Sequence, residues 1–366
     1  MFKSINRYII KEFLKSLLVV LCVMFSIVLL ITLLEEFNYF KSKQDLKFIT
    51  FIIFTFLKIP NLLFNLFPFI VLFSGIVFYL KIYNFNEVIS LRVMGYSNIQ
   101  IILIPALTCF VTGYLLVFLI VPFSSSMLKY YEELKSEYDQ TKNLVFVNET
   151  GIWIIDKNEN DKNIIRIDKI DKNFLNIKQI TIYNYDKSNN FIKRIDASEG
   201  TINDTNWQLS KVNIISSNKN NKKTAESYFN NYTYKSNIKI NELKNIYKNT
   251  ETTSLLDISK EMLILEDKGY SITDLRIRYQ KLISFPIYLL AMSILSGLMI
   301  INLGKTSNYL KYGSYGVIIS IVIYFLNDLS ITIAKSGIIS VDFSVWIPIF
   351  LIILINLVGI TQVNAK

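Results

Sequence analysis

The stretch FLKSLLVVLCVMFSIVLLITLL, from Phe13 to Leu34, decides the kind of fold that this chain can adopt. Lys15, near its start, is its one charged residue. A helix needs about 20 apolar residues to cross the hydrocarbon core of a bilayer, and this stretch is long enough. It exceeds the apolar core of a signal peptide and has no small-residue cleavage site. The stretch therefore predicts an uncleaved membrane-spanning helix.

Five further apolar stretches predict five more spans. The first of them carries Lys58 as its only charge and contains Pro60 and Pro68, so we expect it to be kinked and longer than one crossing. The predicted spans are Phe48–Leu80, Ile99–Phe123, Leu282–Leu303, Tyr312–Ala334 and Phe343–Ile360.

The composition agrees with a membrane protein. Among 366 residues, 52% are hydrophobic and the mean hydropathy is +0.37, too apolar for a soluble protein of this size. The formal charge of +10 is explained by membrane topology and anionic lipid rather than by nucleic acid. The chain has no histidine, which excludes histidine triads and histidine-ligated metals.

We predict neither a cofactor nor a metal site. The two cysteines, Cys22 and Cys109, lie in apolar runs without a partner at ligand spacing. Gly304-Lys305-Thr306 resembles the end of a phosphate loop, but Met299 stands where that motif needs a glycine. We therefore expect ATP hydrolysis, if the function needs it, to come from another subunit.

The distribution of Lys and Arg predicts the orientation. Placing both termini in the cytoplasm gives the inner side the larger set of basic residues from flanks and short loops. That set is Lys3, Arg7, Lys11, Lys15, Lys81, Arg92, Lys305, Lys311 and Lys366. The short outer loops then hold Lys41, Lys43, Lys47 and Lys335. Arg276, Arg278 and Lys281 lie at the outer end of the fourth span, against this trend.

Residues 124–275 predict an extracytoplasmic β domain between the transmembrane groups 1–123 and 276–366. Short runs alternate apolar and polar residues between clusters of Asn, Asp, Lys and Gly, as in an antiparallel sandwich or barrel. The runs are Leu144–Val147, Ile152–Ile155, Ile164–Ile167, Ile180–Tyr185, Trp207–Ile215 and Tyr228–Tyr234. We expect a helical approach over Met127–Tyr138 and a helical return over Leu255–Lys268.

The connector after the second span reads EVISLRVMGYSNIQ, from Glu87 to Gln100. Val88, Leu91 and Met94 recur at helical spacing, and Gly95 fits a helix C-cap. Two interpretations stay open. The connector is either an interfacial helix resting on headgroups, or a coupling helix that docks in a groove of a cytoplasmic motor subunit with Glu87 facing a partner cation.

Two groups of charged residues stand near the outer membrane boundary. Lys41, Lys43 and Lys47 either extend their ammonium groups to the interface or engage the phosphates of an anionic lipid. Asp328, which follows Asn327 in the fifth span, is costly if it faces lipid. We therefore expect Asp328 to face the bundle interior or an interface, in a structural hydrogen bond or in transport.

Several short motifs, in this order along the chain, resemble the LptF/LptG family of lipopolysaccharide export permeases. The motifs are Asn6-Arg7-Tyr8-Ile9, Asn86-Glu87-Val88, Met94-Gly95-Tyr96-Ser97, Gly151-Ile152-Trp153, Ile182-Tyr183 to Asp186, Trp207-Gln208-Leu209-Ser210 and Tyr324-Phe325-Leu326-Asn327-Asp328. The Trp153 region and Leu255–Tyr279 resemble LptG more than LptF.

The resemblance implies a fold, a location and partners. The fold has six transmembrane helices and a periplasmic β-jellyroll between helices 3 and 4, in the bacterial inner membrane. The implied partners are an LptF-type permease, a cytoplasmic LptB-type ATPase dimer, LptC- and LptA-type periplasmic proteins and the lipopolysaccharide substrate. The chain would be a non-catalytic subunit that extracts this lipid.

The resemblance also implies site residues. The segment 84–98 would be the coupling helix that docks on the ATPase, through Glu87, Val88, Leu91, Arg92, Met94 and Gly95. The basic residues after the first span would face lipid phosphates, although Glu35 and Glu36 stand where a membrane-edge lysine is expected.

Two other functions remain open at this point. The chain could be a non-transporting membrane anchor or receptor whose β domain binds a ligand, or a permease whose spans transmit force without carrying substrate. A stable complex with an ATPase that is lost on Glu87→Lys would favour the exporter over the anchor. Photocrosslinking of lipid inside the bundle would argue against the permease whose spans carry no substrate.

Overall fold

The computed structural model describes residues 2–40, 48–138, 152–157, 161–170, 175–186, 190–203, 205–217, 224–236, 249–267, 271–303 and 309–364. Six of the described helical segments are long and apolar enough to cross a membrane. They are Ser4–Phe40, Phe48–Asn84, Asn98–Lys135, Thr273–Ile301, Lys311–Lys335 and Val341–Gln362. The prediction of a six-span helical membrane protein is confirmed.

The helices are longer than the predicted apolar stretches, because polar residues at their ends add further helical turns. The chain folds, in order, as α1 (Phe2–Phe40), α2 (Phe48–Asn84), α3 (Glu87–Val93), α4 (Asn98–Leu115), a π-helical turn (Leu116–Ile120), α5 (Val121–Tyr138), six strands, a 3₁₀ turn (Thr250–Thr252), α6 (Leu255–Asp267), α7 (Thr273–Leu303), α8 (Tyr309–Lys335) and α9 (Val341–Asn364). The predicted helical approach and return are therefore present.

The chain divides into two compact units. The helical unit comprises Met1–Tyr131, Thr250–Ser259 and Thr273–Lys366, and the β unit comprises Glu132–Asn249 and Lys260–Ile272.

Within the helical unit, α7 is the central span. In its most apolar stretch of 18 residues, 78% of the residues are buried. The corresponding share is 11% in α1 and 17% in α8. Small residues allow the close packing, because a Cβ added to Gly113 would lie 2.7 Å from the backbone of Pro286 on α7. The exposed apolar faces of α1 and α8 are suited to lipid or to another membrane protein.

The β unit is built from six antiparallel strands in one sheet. The strands are β1 (Ile152–Lys157), β2 (Asp161–Ile170), β3 (Asn176–Asp186), β4 (Phe191–Asn203), β5 (Asn206–Ser217) and β6 (Thr224–Lys235). Each strand pairs with the next one along the chain. The prediction of an antiparallel β domain between the third and fourth spans is confirmed. A jellyroll needs two sheets, and that form of the domain stays a prediction.

One face of this sheet is the core of the β unit. Isoleucines of β1 to β4 lie on it, and Trp207, fully buried, packs edge-on to Tyr234 with 6.0 Å between the ring centroids. Alternation of apolar and polar residues located five of the six strands, because their inward positions carry large apolar side chains.

The alternating runs did not indicate β4. Its inward positions are Ile195, Ala197, Gly200 and Ile202, so small residues interrupt the apolar pattern. Gly200 is required by packing, since a Cβ there would lie 2.7 Å from Cδ2 of Leu209 on β5. The predicted strand Leu144–Val147 lies outside the described residues.

Candidate functional site

Polar side chains concentrate at two opposite ends of the helical unit. One end, called here the Glu87 end, holds the first turns of α1, the end of α2, α3 and the start of α4. The other, the Glu251 end, holds the start of α2, the 3₁₀ turn, the start of α7 and the end of α8. The predicted coupling segment lies at the first of these ends.

The coupling segment contains a short helix whose C-terminal end is fixed by local chemistry. Gly95 has φ +89°, and its N–H donates to the carbonyl of Arg92 at 2.9 Å. The N–H of Tyr96 donates to the carbonyl of Leu91 at 3.0 Å, which completes a Schellman cap. Ser97 and Gln100 then form a capping box that begins α4. The predicted glycine cap is confirmed.

The structure divides the apolar side chains of this segment between the chain's own core and its surface. Val88 and Leu91 are 4% and 5% exposed, so they pack inside this chain and offer little surface to a partner. Helical spacing identified an apolar face but could not say which protein covers it. Of the three residues that the spacing singled out, only Met94 is exposed.

A different stripe is available to a partner. Ile89 and Val93 lie one helical turn apart on α3 and are 52% and 83% exposed. Phe85, in the turn just before α3, is also exposed. Met94 lies beside them and is also exposed. The surface formed by these four residues, here called the coupling surface, is apolar at the end of a helix bundle.

The polar residues of the segment are bonded to the chain itself. The hydroxyl of Tyr8 donates to Oε2 of Glu87 at 3.0 Å, and the hydroxyl of Tyr96 donates to Oδ1 of Asn6 at 2.6 Å. Nε of Arg92 donates to Oδ1 of Asn98 at 2.8 Å. The segment is thereby held against the first turns of α1.

An ion pair connects α1 to the end of α2, just before the coupling segment. Nζ of Lys81 lies 2.7 Å from Oε2 of Glu12, a carboxylate that is mostly buried and also accepts from Lys15. No pattern in the sequence indicated the bonds of Tyr8, Asn6 and Glu12. These residues belong to or follow the motif at the start of α1, but their partners lie far along the chain.

The predicted lipid-phosphate lysines Lys41, Lys43 and Lys47 lie outside the described residues. The acidic pair before them is described. Nζ of Lys58 lies 3.0 Å from Oε2 of Glu35 and 3.8 Å from Oε1 of Glu36, and the hydroxyl of Tyr131 donates to Oε1 of Glu36 at 2.6 Å. The only charge in the predicted second span is therefore a counter-ion for the first.

Basic residues at the Glu251 end are also bonded within the helical unit. Arg276 makes two bonds to the carboxylate of Asp342, one of them 3.0 Å long from Nε. Arg278 donates to the carbonyl of Thr253 at 3.0 Å and to Oγ of Ser125 at 3.1 Å. Two of the three residues that opposed the charge trend are thus held by neighbours.

The third of these residues, Lys281, lines a cavity of about 360 Å³ together with Asp328. This cavity lies between α2, α7, α8 and α9. Asp328 lines the cavity as an exposed side chain, and the expectation that it faces the bundle interior or an interface stays a prediction. Gly304-Lys305-Thr306 lies outside the described residues.

The comparisons with known proteins assign the family. The family described as lipopolysaccharide export system permease LptF/LptG matches residues 7–362, nearly the whole chain. No curated protein matches the chain. The match does not distinguish LptF from LptG. With its six apolar spans, the chain belongs to the LptF/LptG family of lipopolysaccharide export permeases and is a multi-pass protein of the inner membrane.

Proposed function

We propose that this chain is a transmembrane permease subunit of an ATP-driven exporter, which extracts lipopolysaccharide from the inner membrane and passes it to a periplasmic protein bridge. The family supports the substrate, and the coupling surface carries the proposal of an ATP-driven mechanism. The chain itself would be non-catalytic, with ATP hydrolysed by an LptB-type dimer.

The coupling surface has the properties that a docking site for a motor subunit needs. Ile89 and Val93 are exposed and lie on a helix whose C-terminal end is capped and whose first residue, Glu87, bonds to Tyr8. An apolar helix face of this kind binds in a hydrophobic groove. Glu87 bonds to Tyr8 through one carboxylate oxygen, and its second oxygen can accept from a partner cation.

The connection to α1 suggests how force would reach the membrane. Glu87 begins the coupling helix and Tyr96 follows its cap, and both are bonded to α1. A displacement of the coupling surface would therefore move α1 directly, as well as α2. Because α1 is the least buried span, it can move at a smaller cost in lost packing than α7.

The orientation follows from the same proposal. The Glu87 end and both termini would face the cytoplasm, and the β unit would stand in the periplasm. The exposed apolar faces of α1 and α8 would meet an LptF-type partner permease and lipid. Lys41, Lys43 and Lys47 stay the proposed contacts for lipid phosphates.

The β unit would serve the passage of acyl chains toward LptC- and LptA-type proteins. Moving a lipid into water costs about 0.8 kcal/mol for each CH₂ group, so a multi-acyl lipid cannot cross an aqueous gap unaided. The isoleucine-rich face of the sheet is buried inside the β unit, and it would line the path of such chains if they enter that interior.

The first experiment is affinity purification of the tagged full-length protein in mild detergent. We expect a second six-span permease, an ATPase and an acylated glycolipid to co-purify. Recovery of the chain alone, or with an unrelated periplasmic ligand, would contradict the proposal and favour the anchor or receptor.

A pair of variants tests the coupling surface. Val93→Glu places a charge in the proposed apolar contact, and Glu87→Lys reverses the charge of the proposed ionic contact. We expect each to reduce ATPase recovery at least about tenfold, because a desolvated charge in an interface costs more than about 1.4 kcal/mol.

Ile264→Glu is the matched control, because Ile264 is also an exposed apolar residue of a helix but lies outside the coupling segment. It should leave ATPase recovery unchanged. Equal recovery with Val93→Glu and Ile264→Glu would favour a helix that merely rests on headgroups.

A further inference from the structure

The cavity at the Glu251 end is amphipathic. Its wall consists of residues from α2, α7, α8 and α9 together with Glu251 of the 3₁₀ turn. On α7, the lining residues Lys281, Ser284, Phe285 and Tyr288 recur at helical spacing. Phe64 and Phe285 stack in this wall with 4.3 Å between their ring centroids. Polar groups of Asn65, Glu251, Lys281, Asn327 and Asp328 complete the lining. A lining that combines aromatic rings with charged groups suits a ligand with an apolar chain and a polar head.

One carboxylate of the cavity is held in place by amides. Nδ2 of Asn61 donates to Oε2 of Glu251 at 2.5 Å, and Nδ2 of Asn65 lies 3.5 Å from its Oε1. The hydroxyl of Ser125 donates to the backbone carbonyl of Glu251 at 3.1 Å. Glu251 is thereby fixed as an acceptor at the cavity wall.

The other two charged groups have no such partners. Among the described residues, neither the ammonium group of Lys281 nor the carboxylate of Asp328 makes a hydrogen bond or an ion pair. The neighbouring cations are already engaged, since Arg276 binds Asp342 and Lys335 binds Asp274. Lys281 is within electrostatic range of Glu251 and Asp328, and the side chains of Lys281 and Asp328 are both exposed, so a ligand can reach them. Ionisable groups in a membrane segment of this kind indicate a functional contact.

The depth of these groups corresponds to lipid headgroups. Helix α8 has 27 residues and is therefore about 40 Å long at about 1.5 Å per residue. Asp328 lies about 10 Å from its last residue, Lys335. In a helix centred on a hydrocarbon core of about 30 Å, Asp328 lies only about 5 Å inside the boundary. A lipid headgroup reaches this level.

We propose that this cavity binds a zwitterionic aminophospholipid of the phosphatidylethanolamine type. Its primary ammonium group would donate to Asp328 and Glu251, its phosphate would accept from Lys281, and one acyl chain would lie along Phe285 and Tyr288. Two carboxylates and one ammonium line the cavity, so a zwitterionic head with one cation and one phosphate matches the lining. Arg278 and Lys335 lie outside the lining, although they act electrostatically on Glu251 and Lys281. The proposal is independent of the exporter function.

The direct test is native mass spectrometry of the delipidated full-length protein in detergent. It is titrated with phosphatidylethanolamine, phosphatidylcholine and phosphatidylglycerol of identical acyl chains. We expect one phosphatidylethanolamine to bind about tenfold more tightly than either other lipid, since the others lack the N–H donors that make charge-assisted hydrogen bonds. Equal binding of phosphatidylglycerol would overturn the proposal.

Matched variants locate the site. Asp328→Asn should lower the affinity for phosphatidylethanolamine about tenfold, because it removes a charged acceptor of the ammonium group. Asp274→Asn makes the same charge change at the same end of the unit but outside the cavity, and it should leave the affinity unchanged. Unchanged binding to the Asp328 variant would exclude this cavity.

A modified lipid tests the same contact without a mutation. Phosphatidylethanolamine acetylated on its nitrogen keeps the phosphate and acyl chains but loses the positive charge. We expect wild-type protein to bind it as weakly as phosphatidylglycerol. If it binds as tightly as the unmodified lipid, the ammonium contact is wrong even if the Asp328 variant fails to fold.

Discussion

At the scale of single residues, one backbone conformation fixes the shape of the coupling segment. Gly95 has φ +89°, a left-handed conformation that side chains with a Cβ disfavour. Nothing lies within 4 Å of the position that a Cβ would occupy, so space is not the constraint. The glycine is required for its dihedral angle, which lets the chain reverse between α3 and α4.

We therefore predict that Gly95→Ala loosens the Schellman cap by about 1–2 kcal/mol. Hydrogen exchange of the amides of Gly95 and Tyr96, which the cap protects, should become roughly tenfold faster. The control is Gly313→Ala, because Gly313 lies in α8 with open space around it and has no positive φ. If the amides of residues 95 and 96 exchange as slowly in Gly95→Ala as in the wild type, the cap does not depend on glycine.

At the scale of secondary-structure elements, close approach decides where strands and helices can pack. In β4, Gly200 lies under the side chains of two neighbouring strands, with Cδ1 of Ile180 3.1 Å and Cδ2 of Leu209 2.7 Å from a Cβ built on it. In a sequence pattern of alternating apolar residues, such a glycine looks like an interruption. In the structure, its missing side chain makes room for the side chains of the neighbouring strands to pack.

Gly200→Ala should destabilise the β unit by about 1–3 kcal/mol, because the added methyl group overpacks the core. Thermal unfolding would report the loss, followed by near-ultraviolet circular dichroism in a background with Trp153→Phe and Trp346→Phe, which leaves Trp207 as the one tryptophan. The double variant with Leu209→Ala should lose less than the sum of the two single changes, since the shorter side chain makes room. Strict additivity would mean that the two side chains do not meet.

At the scale of the whole molecule, charges placed far apart in the sequence neutralise each other across the helical unit. Lys58 of α2 and Tyr131 of α5 both bind Glu36 of α1, whose side chain is only 2% exposed. A buried carboxylate needs its counter-ion, because an uncompensated charge in an apolar surrounding is strongly unfavourable.

Lys58→Met should therefore lower the free energy of unfolding of the helical unit by about 3 kcal/mol. Lys335→Met is the matched control, because its partner Asp274 is largely exposed and such pairs contribute at most about 1 kcal/mol. Thermal midpoints in one detergent would compare the two variants. Adding Glu36→Gln to Lys58→Met should recover much of the loss; a further loss would show that Lys58 matters by packing alone.

The amino-acid sequence by itself determined the elements of this protein. Length and continuity of apolar runs predict six spans, because a bilayer demands about 20 apolar residues for each crossing. Period-two alternation predicts five of the six strands, and the glycine after Met94 predicts the end of α3. These signals are local, since each depends on neighbours within one or two turns.

Only the tertiary structure decided which side chains are covered by the chain itself and which remain exposed. The spacing of Val88 and Leu91 is the same whether the bundle or a partner covers them, and their burial assigns them to the bundle. Glu251, Lys281 and Asp328 lie far apart in the chain, and helix packing alone brings them to one cavity. Contacts between distant segments depend on how whole helices pack, and no local pattern of residues records that arrangement.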